Sequence, residues 1–297
     1  MTPAPIALFV YNRPEHTRKT IEALRANTLA GESELFIFSD GPKNTEQKKA
    51  VREVRDYIKT ITGFRRIEIV ERAENFALSK SIISGVTDIV NRYSKIIVME
   101  DDLVTSPYFL KYMNEGLELY KNEKSVASIH GYVYPSKKTL PETFFLRGAD
   151  CWGWATWKRA WKAFELDGNK LLIELEKKGL ISKFDLDGTY DFSATLKRQI
   201  DGRCDSWAIR WHASAFLVNM LTLYPGRSLV NNIGRDGSGT HAGDTGAFNT
   251  VMTERPIEVR PIPIEEDAAA RKIIIGYMRS LRTSLFKRIK TKITGRR

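Results

Sequence analysis

Glu100, Asp101 and Asp102 stand side by side where an apolar run, residues 95–99, stops. Adjacent carboxylates repel one another, so placing three of them where a buried strand should end needs a cause. Three explanations are open: a solvated turn, an acid/base pair, or a seat for a hard cation. The apolar run before the triplet and the Ser106-Pro107 pair after it frame the site and favour the cation, because Ser and Pro suit the start of a helix over 107–121. Mg²⁺ and Mn²⁺ prefer oxygen ligands, and Mg²⁺ takes one or two carboxylates with substrate phosphates completing its shell. One acid of the triplet then binds metal directly, and another holds a metal-bound water or a hydroxyl. The cation relieves the repulsion.

Such a triplet must be positioned by regular elements. Residues 5–11, 34–39, 66–71, 95–99 and 125–133 read as strands, and 45–60, 77–93 and 107–121 as helices, with Pro14 in the first turn of a further helix. Strands alternating with helices predict βαβ units and a mostly parallel sheet flanked by helices. In such sheets functional groups gather outside the carboxyl ends of the strands. Polar residues fall at those ends: Asn12 and Arg13, Asp40 and Gly41, Asn75, and the acidic triplet. The second half reads differently. All six tryptophans lie between 152 and 211, helices are expected over 155–165, 170–179, 190–201 and 206–222, and residues 228–233 read as a late strand. A Gly-rich loop, 234–243, follows.

The run IVMEDDL after three βα units resembles the acidic metal motif of nucleotide-sugar glycosyltransferases of the GT-A fold. With its helix containing PYF, it is similar to the N-acetylglucosaminyltransferase I type and to bacterial inverting transferases. The likeness covers roughly residues 5–245. It implies that Asp102 binds Mn²⁺ or Mg²⁺ and that Glu100 and Asp101 lie nearer the sugar and ribose of the donor. It implies that Asn12 and Arg13 meet the nucleotide and that Asp40 contacts uracil or ribose. Residues 75–80, NFALSK, resemble the family's N-x-G-L-x-x segment and place Asn75, Ser79 and Lys80 at the donor, with Ala77 where the family has Gly.

Inverting glycosyl transfer needs one general base for the acceptor hydroxyl. Asp205, before Trp207 and an apolar helix, resembles the family's base, although the second acid found there is replaced by Ser206; the other reading is a helix N-cap, and Asp201 is the fallback. The loop GRDGSGTHAG resembles the family's Ser-His-Gly loop. It implies a metal-ligating His241 and an Arg235 that neutralises the diphosphate, against the alternative of a surface histidine. His212 is expected to pack within a helix, His16 to be exposed and His130 to lie near the crevice. At least three tryptophans are expected in the core, with Trp152 and Trp154 forming an acceptor wall, since flat rings suit the apolar faces of sugars.

The net charge of +11 is unevenly spread: residues 271–297 hold ten Lys/Arg and no acid, leaving 37 basic against 36 acidic residues elsewhere. A nearly neutral body argues against nucleic acid as a partner. Ile274, Met278, Leu281, Leu285 and Ile289 recur at helical spacing among these cations, a basic amphipathic helix suited to an anionic membrane surface or to a partner subunit. Two cysteines suit neither a disulfide scaffold nor a four-ligand zinc site. No signal-peptide pattern or membrane-spanning run is visible.

The combined expectation is an α/β GT-A chain with a nucleotide-sugar half (1–135), a helical acceptor half of the same domain (136–265) and a basic tail (266–297). It transfers a sugar from a UDP-linked donor such as UDP-GlcNAc to a glycan or lipid-linked glycan in surface polysaccharide synthesis. It does so in the cytoplasm, on the inner face of the cell membrane. The alternatives are a sugar-nucleotide nucleotidyltransferase, disfavoured because YNRPEHTRK after the first strand has no Gly, and a non-catalytic glycan-binding protein.

Overall fold

The computed structural model describes residues 2–237 and 246–294, with 282–294 as backbone alone. Strand and helix alternate through β1 (Ile6–Val10), α1 (Pro14–Arg25), β2 (Glu34–Ser39), α2 (Lys48–Ile58), β3 (Arg66–Glu71), α3 (Ala77–Tyr93) and β4 (Lys95–Glu100). Then come β5 (Leu103–Thr105), α4 (Phe109–Leu119), β6 (Val126–His130), β7 (Thr143–Arg147) and β8 (Trp154–Trp157). Helices α5 (Lys158–Trp161), α6 (Gly168–Lys177), α7 (Ile181–Phe184), α8 (Phe192–Ile200) and α9 (Trp207–Leu217) follow. The chain closes with β9 (Leu221–Pro225), β10 (Val230–Asn232) and α10 (Ala268–Thr294).

Eight strands form one sheet in the order β3-β2-β1-β4-β8-β6-β9-β7, and β5 pairs with β10 in a small antiparallel ribbon. The ladders among β3, β2, β1 and β4 are all parallel. Every residue of β1 is buried, as expected of a parallel strand covered on both faces. The main core collects Ile6, Leu8, Leu35, Ile37, Ile97 and Met99 from these strands with Ile82, Val86 and Ile89 of α3. The predicted α/β architecture with a mostly parallel sheet flanked by helices is the one observed.

Three expected elements are corrected. The helix over 155–165 is instead β8, four fully buried residues, followed by the short α5. The helix over 206–222 stops at Leu217, and residues 221–225 are β9. Ser106 and Pro107 precede α4, which has Tyr108 at its N-cap and no side-chain cap; the Ser106 hydroxyl donates to the Thr253 carbonyl at 2.8 Å instead.

β8 runs antiparallel to both neighbours: Val98 of β4 and His130 of β6 both lie opposite Trp154. The start of β8 therefore lies beside the carboxyl ends of β4 and β6.

The first turns of α10 are docked. Ala270, Ile274 and Met278 are buried with Val133, Phe144, Leu146 and Tyr224, and Leu281 packs against the same cluster. Arg271 donates two hydrogen bonds to the Asp187 carboxylate at 2.7 and 2.8 Å. Three residues of the amphipathic stripe thus face the protein body. Leu285 and Ile289 fall among residues described by backbone alone. Among the described residues no helix is long and apolar enough to cross a membrane.

Candidate active site

The parallel ladders align the carboxyl ends of β1 to β4 on one edge of the sheet. β4 ends at Glu100, and Asp101 and Asp102 turn toward β1. The Tyr11 amide donates to Asp101 Oδ2 at 3.3 Å, and the Thr20 hydroxyl donates to the Asp101 carbonyl at 2.8 Å. Arg13 Nη1 donates to Asp102 Oδ2 at 3.0 Å and lies 3.9 Å from Asp101 Oδ1. The Arg13 guanidinium thus contacts two of the three carboxyls, and the crowding shows in the acidity of Glu100 and Asp101. Burial first, and then Asp102 and Asp101, push Glu100 well above the ordinary carboxylate range. Burial and then Asp102 push Asp101 up to about 7, against the pull of Arg13 and the Tyr11 amide.

The β5–β10 ribbon closes this corner. Ile233 N–H donates to the Asp102 carbonyl at 2.8 Å, and the chain then passes Asp102 as Gly234. A Cβ at 234 would lie 2.0 Å from Asp102 Oδ2 and 2.8 Å from Arg13 Nη2. Only glycine fits without displacing the carboxylate. Next along the chain, Asp236 Oδ2 lies 3.1 Å from His16 Nε2, so His16 is engaged rather than simply exposed.

A second cluster forms at the N-terminus of α3. Asp40 is 6% exposed, and its two oxygens accept from Phe76 N–H at 2.8 and 3.0 Å. Asn75 Nδ2 donates to the Gly41 carbonyl at 2.7 Å, while its Oδ1 accepts from Ala77 N–H at 3.1 Å. Ala77 has φ +59°, a left-handed conformation suited to glycine and strained for alanine. Asp205 Oδ2 accepts from Ser79 N–H at 3.3 Å. Asp205 does not cap α9: Ser206 does, accepting from Ile209 N–H at 3.3 Å. Arg210, 9% exposed, binds the Ser79 hydroxyl, the Ser206 carbonyl at 3.3 Å and the Leu166 carbonyl at 3.1 Å. Ser79, Lys80, Asp205, Arg210 and Leu166 line a groove of about 750 Å³ along α3. The structure therefore unites the sequence candidates Ser79, Lys80 and Asp205, and joins Asp40 to Asn75 through the α3 turn. Lys80 Nζ lies over the Phe76 ring at 4.2 Å. Asn12 is partly exposed between Tyr11 and Arg13.

The tryptophan expectations divide. Trp154, Trp157, Trp161, Trp207 and Trp211 are buried. Trp154 is a correction: with 0% exposure and its ring 5.4 Å from Trp207, it is core and cannot face an acceptor. Its place in a central strand, covered on both faces, dictates this. Trp152 is partly exposed, its ring 4.7 Å from Tyr132 and 6.1 Å from Phe248. The Arg235 guanidinium stacks over Phe248 at 4.7 Å. His130 is fully buried, and burial lowers its proton affinity; Nε2 accepts from Trp152 N–H at 3.1 Å. His212 packs against Phe184 and Phe192, as expected. His241 lies outside the described residues.

Tyr11, Arg210, Gly234 and Asp150 were missed. Gly234 opens a glycine-rich stretch, a usable signal of close backbone approach. Asp150 precedes Cys151-Trp152 without any spacing that marks it.

The donor set of the acidic corner is hard oxygen, and Glu100 and Asp101 are held toward protonation by burial and then by the neighbouring carboxylates. Both facts fit a divalent cation. Among the described residues no three His, Cys, Asp or Glu converge to hold a metal unaided. Asp102 thus suits a shell that substrate oxygens complete.

No family model and no curated protein matches the chain. Among solved structures, S. aureus TarS residues 1–349 is similar at 9% identity over 77% of this chain and 60% of that one, with a TM-score of 0.40. A longer S. aureus TarS structure gives 12% identity over 49% and 24%, with a TM-score of 0.31. A candidate nucleotide-diphospho-sugar transferase from Desulfovibrio desulfuricans G20 gives 10% identity over 56% and 69%, with a TM-score of 0.36. The chain spans about three fifths of the first of these. At this distance the function must rest on the residues of the site.

Proposed function

We propose that the chain is a metal-dependent inverting glycosyltransferase that uses a nucleotide-diphospho-sugar donor. One observation carries the reading: three carboxyls crowd a parallel strand end, two of them pushed toward protonation, and Arg13 contacts Asp101 and Asp102. A nucleoside diphosphate binding with its cation answers that charge imbalance, and Asp102 is the residue that would hold the ion. When bound, Mn²⁺ or Mg²⁺ supplies charge neutralisation for the diphosphate. Arg13 adds a cationic donor beside it. Asp40, Asn75 and Tyr11 border the position proposed for the nucleoside. Lys80 and Asp205 border the position proposed for the sugar, where Asp205, exposed on its groove, is the general base. The acceptor O–H proton passes to Asp205, the acceptor oxygen bonds to the anomeric carbon, and the bond to the diphosphate breaks with its electron pair. His241 and Arg235 of the glycine-rich loop are further candidates at the diphosphate. The basic tail suits an anionic membrane surface, and a lipid-linked glycan at the inner face of the cell membrane suits that placement.

The test is calorimetric titration of UDP, GDP, CDP and dTDP with and without Mn²⁺, in the native chain and in Asp102→Ala. One nucleotide should bind, only with the cation present and only in the native chain. Failure of all four with Mn²⁺ overturns the reading, and release of pyrophosphate from a nucleoside triphosphate would favour nucleotidyl transfer.

A further inference from the structure

Because β8 is antiparallel between β4 and β6, the residues before it leave the sheet at the edge that carries the acidic triplet. Those residues are Asp150, Cys151 and Trp152. Asp150 is partly exposed, and its oxygens are each held once: Cys151 N–H donates to Oδ1 at 2.9 Å, and the Tyr134 hydroxyl donates to Oδ2 at 2.9 Å. Each oxygen keeps a second acceptor position. No Lys, Arg or His among the described residues forms an ion pair with it. Around it stand rings: Trp152 edge-on to Tyr132 at 4.7 Å, Tyr132 to Tyr134 at 5.4 Å, and Tyr134 to Phe248 at 6.2 Å. Trp152, Tyr134 and Phe248 all keep exposed surface.

A carboxylate among aromatic rings with no ion pair of its own is satisfied by neutral donors, of which Tyr134 and the Cys151 amide supply two. Vicinal sugar hydroxyls are such donors, and the C–H face of a pyranose suits a flat ring. We propose that Asp150 and Trp152 form a hexopyranose subsite, the carboxylate accepting sugar hydroxyls while the indole covers the apolar sugar face. The subsite lies at the triplet's edge of the sheet, since β8 begins opposite Val98, two residues before Glu100. It rests on the glycosyltransferase reading and adds a polar anchor to it. The hexose comes either from an acceptor glycan or from the sugar of the donor.

Saturation-transfer NMR on the full chain with Mn²⁺ separates these sources. The probes are UDP, UDP-GlcNAc, and the methyl glycosides of glucose, galactose and N-acetylglucosamine with UDP present. Asp150→Asn keeps the shape and removes the charge, and Trp152→Ala removes the ring; thermal melting verifies folding of each. Weakening of a methyl glycoside by about ten- to a hundredfold in Asp150→Asn, with UDP unchanged, establishes an acceptor subsite. The same weakening of UDP-GlcNAc but not of UDP establishes a donor-sugar subsite. Equal saccharide binding in native and Asp150→Asn protein, or no saccharide binding by native protein that binds UDP, overturns the subsite alone. Absence of UDP binding as well overturns the transferase reading beneath it.

Discussion

Asp40 and Asp205 at the start of α3 and the triplet at the end of β4 are two sets of carboxylates placed in opposite surroundings. Asp40 and Asp205 accept from backbone N–H groups of the first turn of α3, where the helix favours negative charge. Glu100 and Asp101 are pushed toward protonation by burial and then by Asp102, which Arg13 and the Tyr11 amide offset only in part at Asp101. A carboxylate answered by backbone amides needs no added cation. A carboxylate answered by nothing sufficient is waiting for charge. The contrast separates carboxylates that the backbone already satisfies from carboxylates that burial disfavours, which acidity in the sequence alone does not do.

The largest effect expected of any substitution is at Asp102. Asp102→Ala should lower sugar transfer by more than about a thousandfold and abolish cation-dependent nucleotide binding, followed by calorimetry and donor turnover. Retained turnover would end the contrast. Asp205→Asn keeps the carboxamide shape and removes the base; transfer should fall about a hundred- to ten-thousandfold while nucleotide binding stays. If nucleotide binding falls equally, Asp205 belongs with the binding carboxylates instead. Gly234→Ala forces Asp102 aside and should cost about a hundredfold in turnover without unfolding the chain, as read by kinetics beside a melting curve.

A pH series sharpens the same point. Asp101, raised from 3.8 to about 7, binds more protons folded than unfolded within that window. Its contribution to stability therefore falls as pH rises from about 4 to about 7. Melting temperature of the cation-free protein should show this fall, Asp101→Asn should flatten it, and Mn²⁺ should reverse it near neutrality. Stability that rises across the window would contradict the charge imbalance. The smallest effect is at the other cluster: Ala77→Gly relieves the left-handed strain, offset in part by added freedom of the unfolded chain, for a gain of about 0.5 kcal/mol in denaturant unfolding.

The first half was legible because each strand is a short apolar run bounded by polar turn residues and followed by a helix of the right period. Residues 77–93 form the expected helix to the residue. The second half misled for a physical reason. β8, Trp154–Trp157, is buried on both faces, and a doubly buried strand shows the same unbroken apolar run as a buried helix. Trp154 went astray with it. The end of α9 had a signal in Asn219, at φ +58°, a residue type that commonly terminates helices. The triplet was legible as a cluster. The opposite treatment of Asp40 and Asp205 was not, because it depends on amides of α3 that lie 36 and 126 residues away in the chain.

The reversed strand also sets an order on biosynthesis. β4 pairs with β1 on one side and with β8 on the other, and β8 is translated after α4, β6 and β7. Until the ribosome has passed Trp157, the apolar strand holding Ile96, Ile97 and Val98 has one edge without a partner, an invitation to pair with another nascent chain. Message truncated before that point should yield aggregates rather than a free folded fragment.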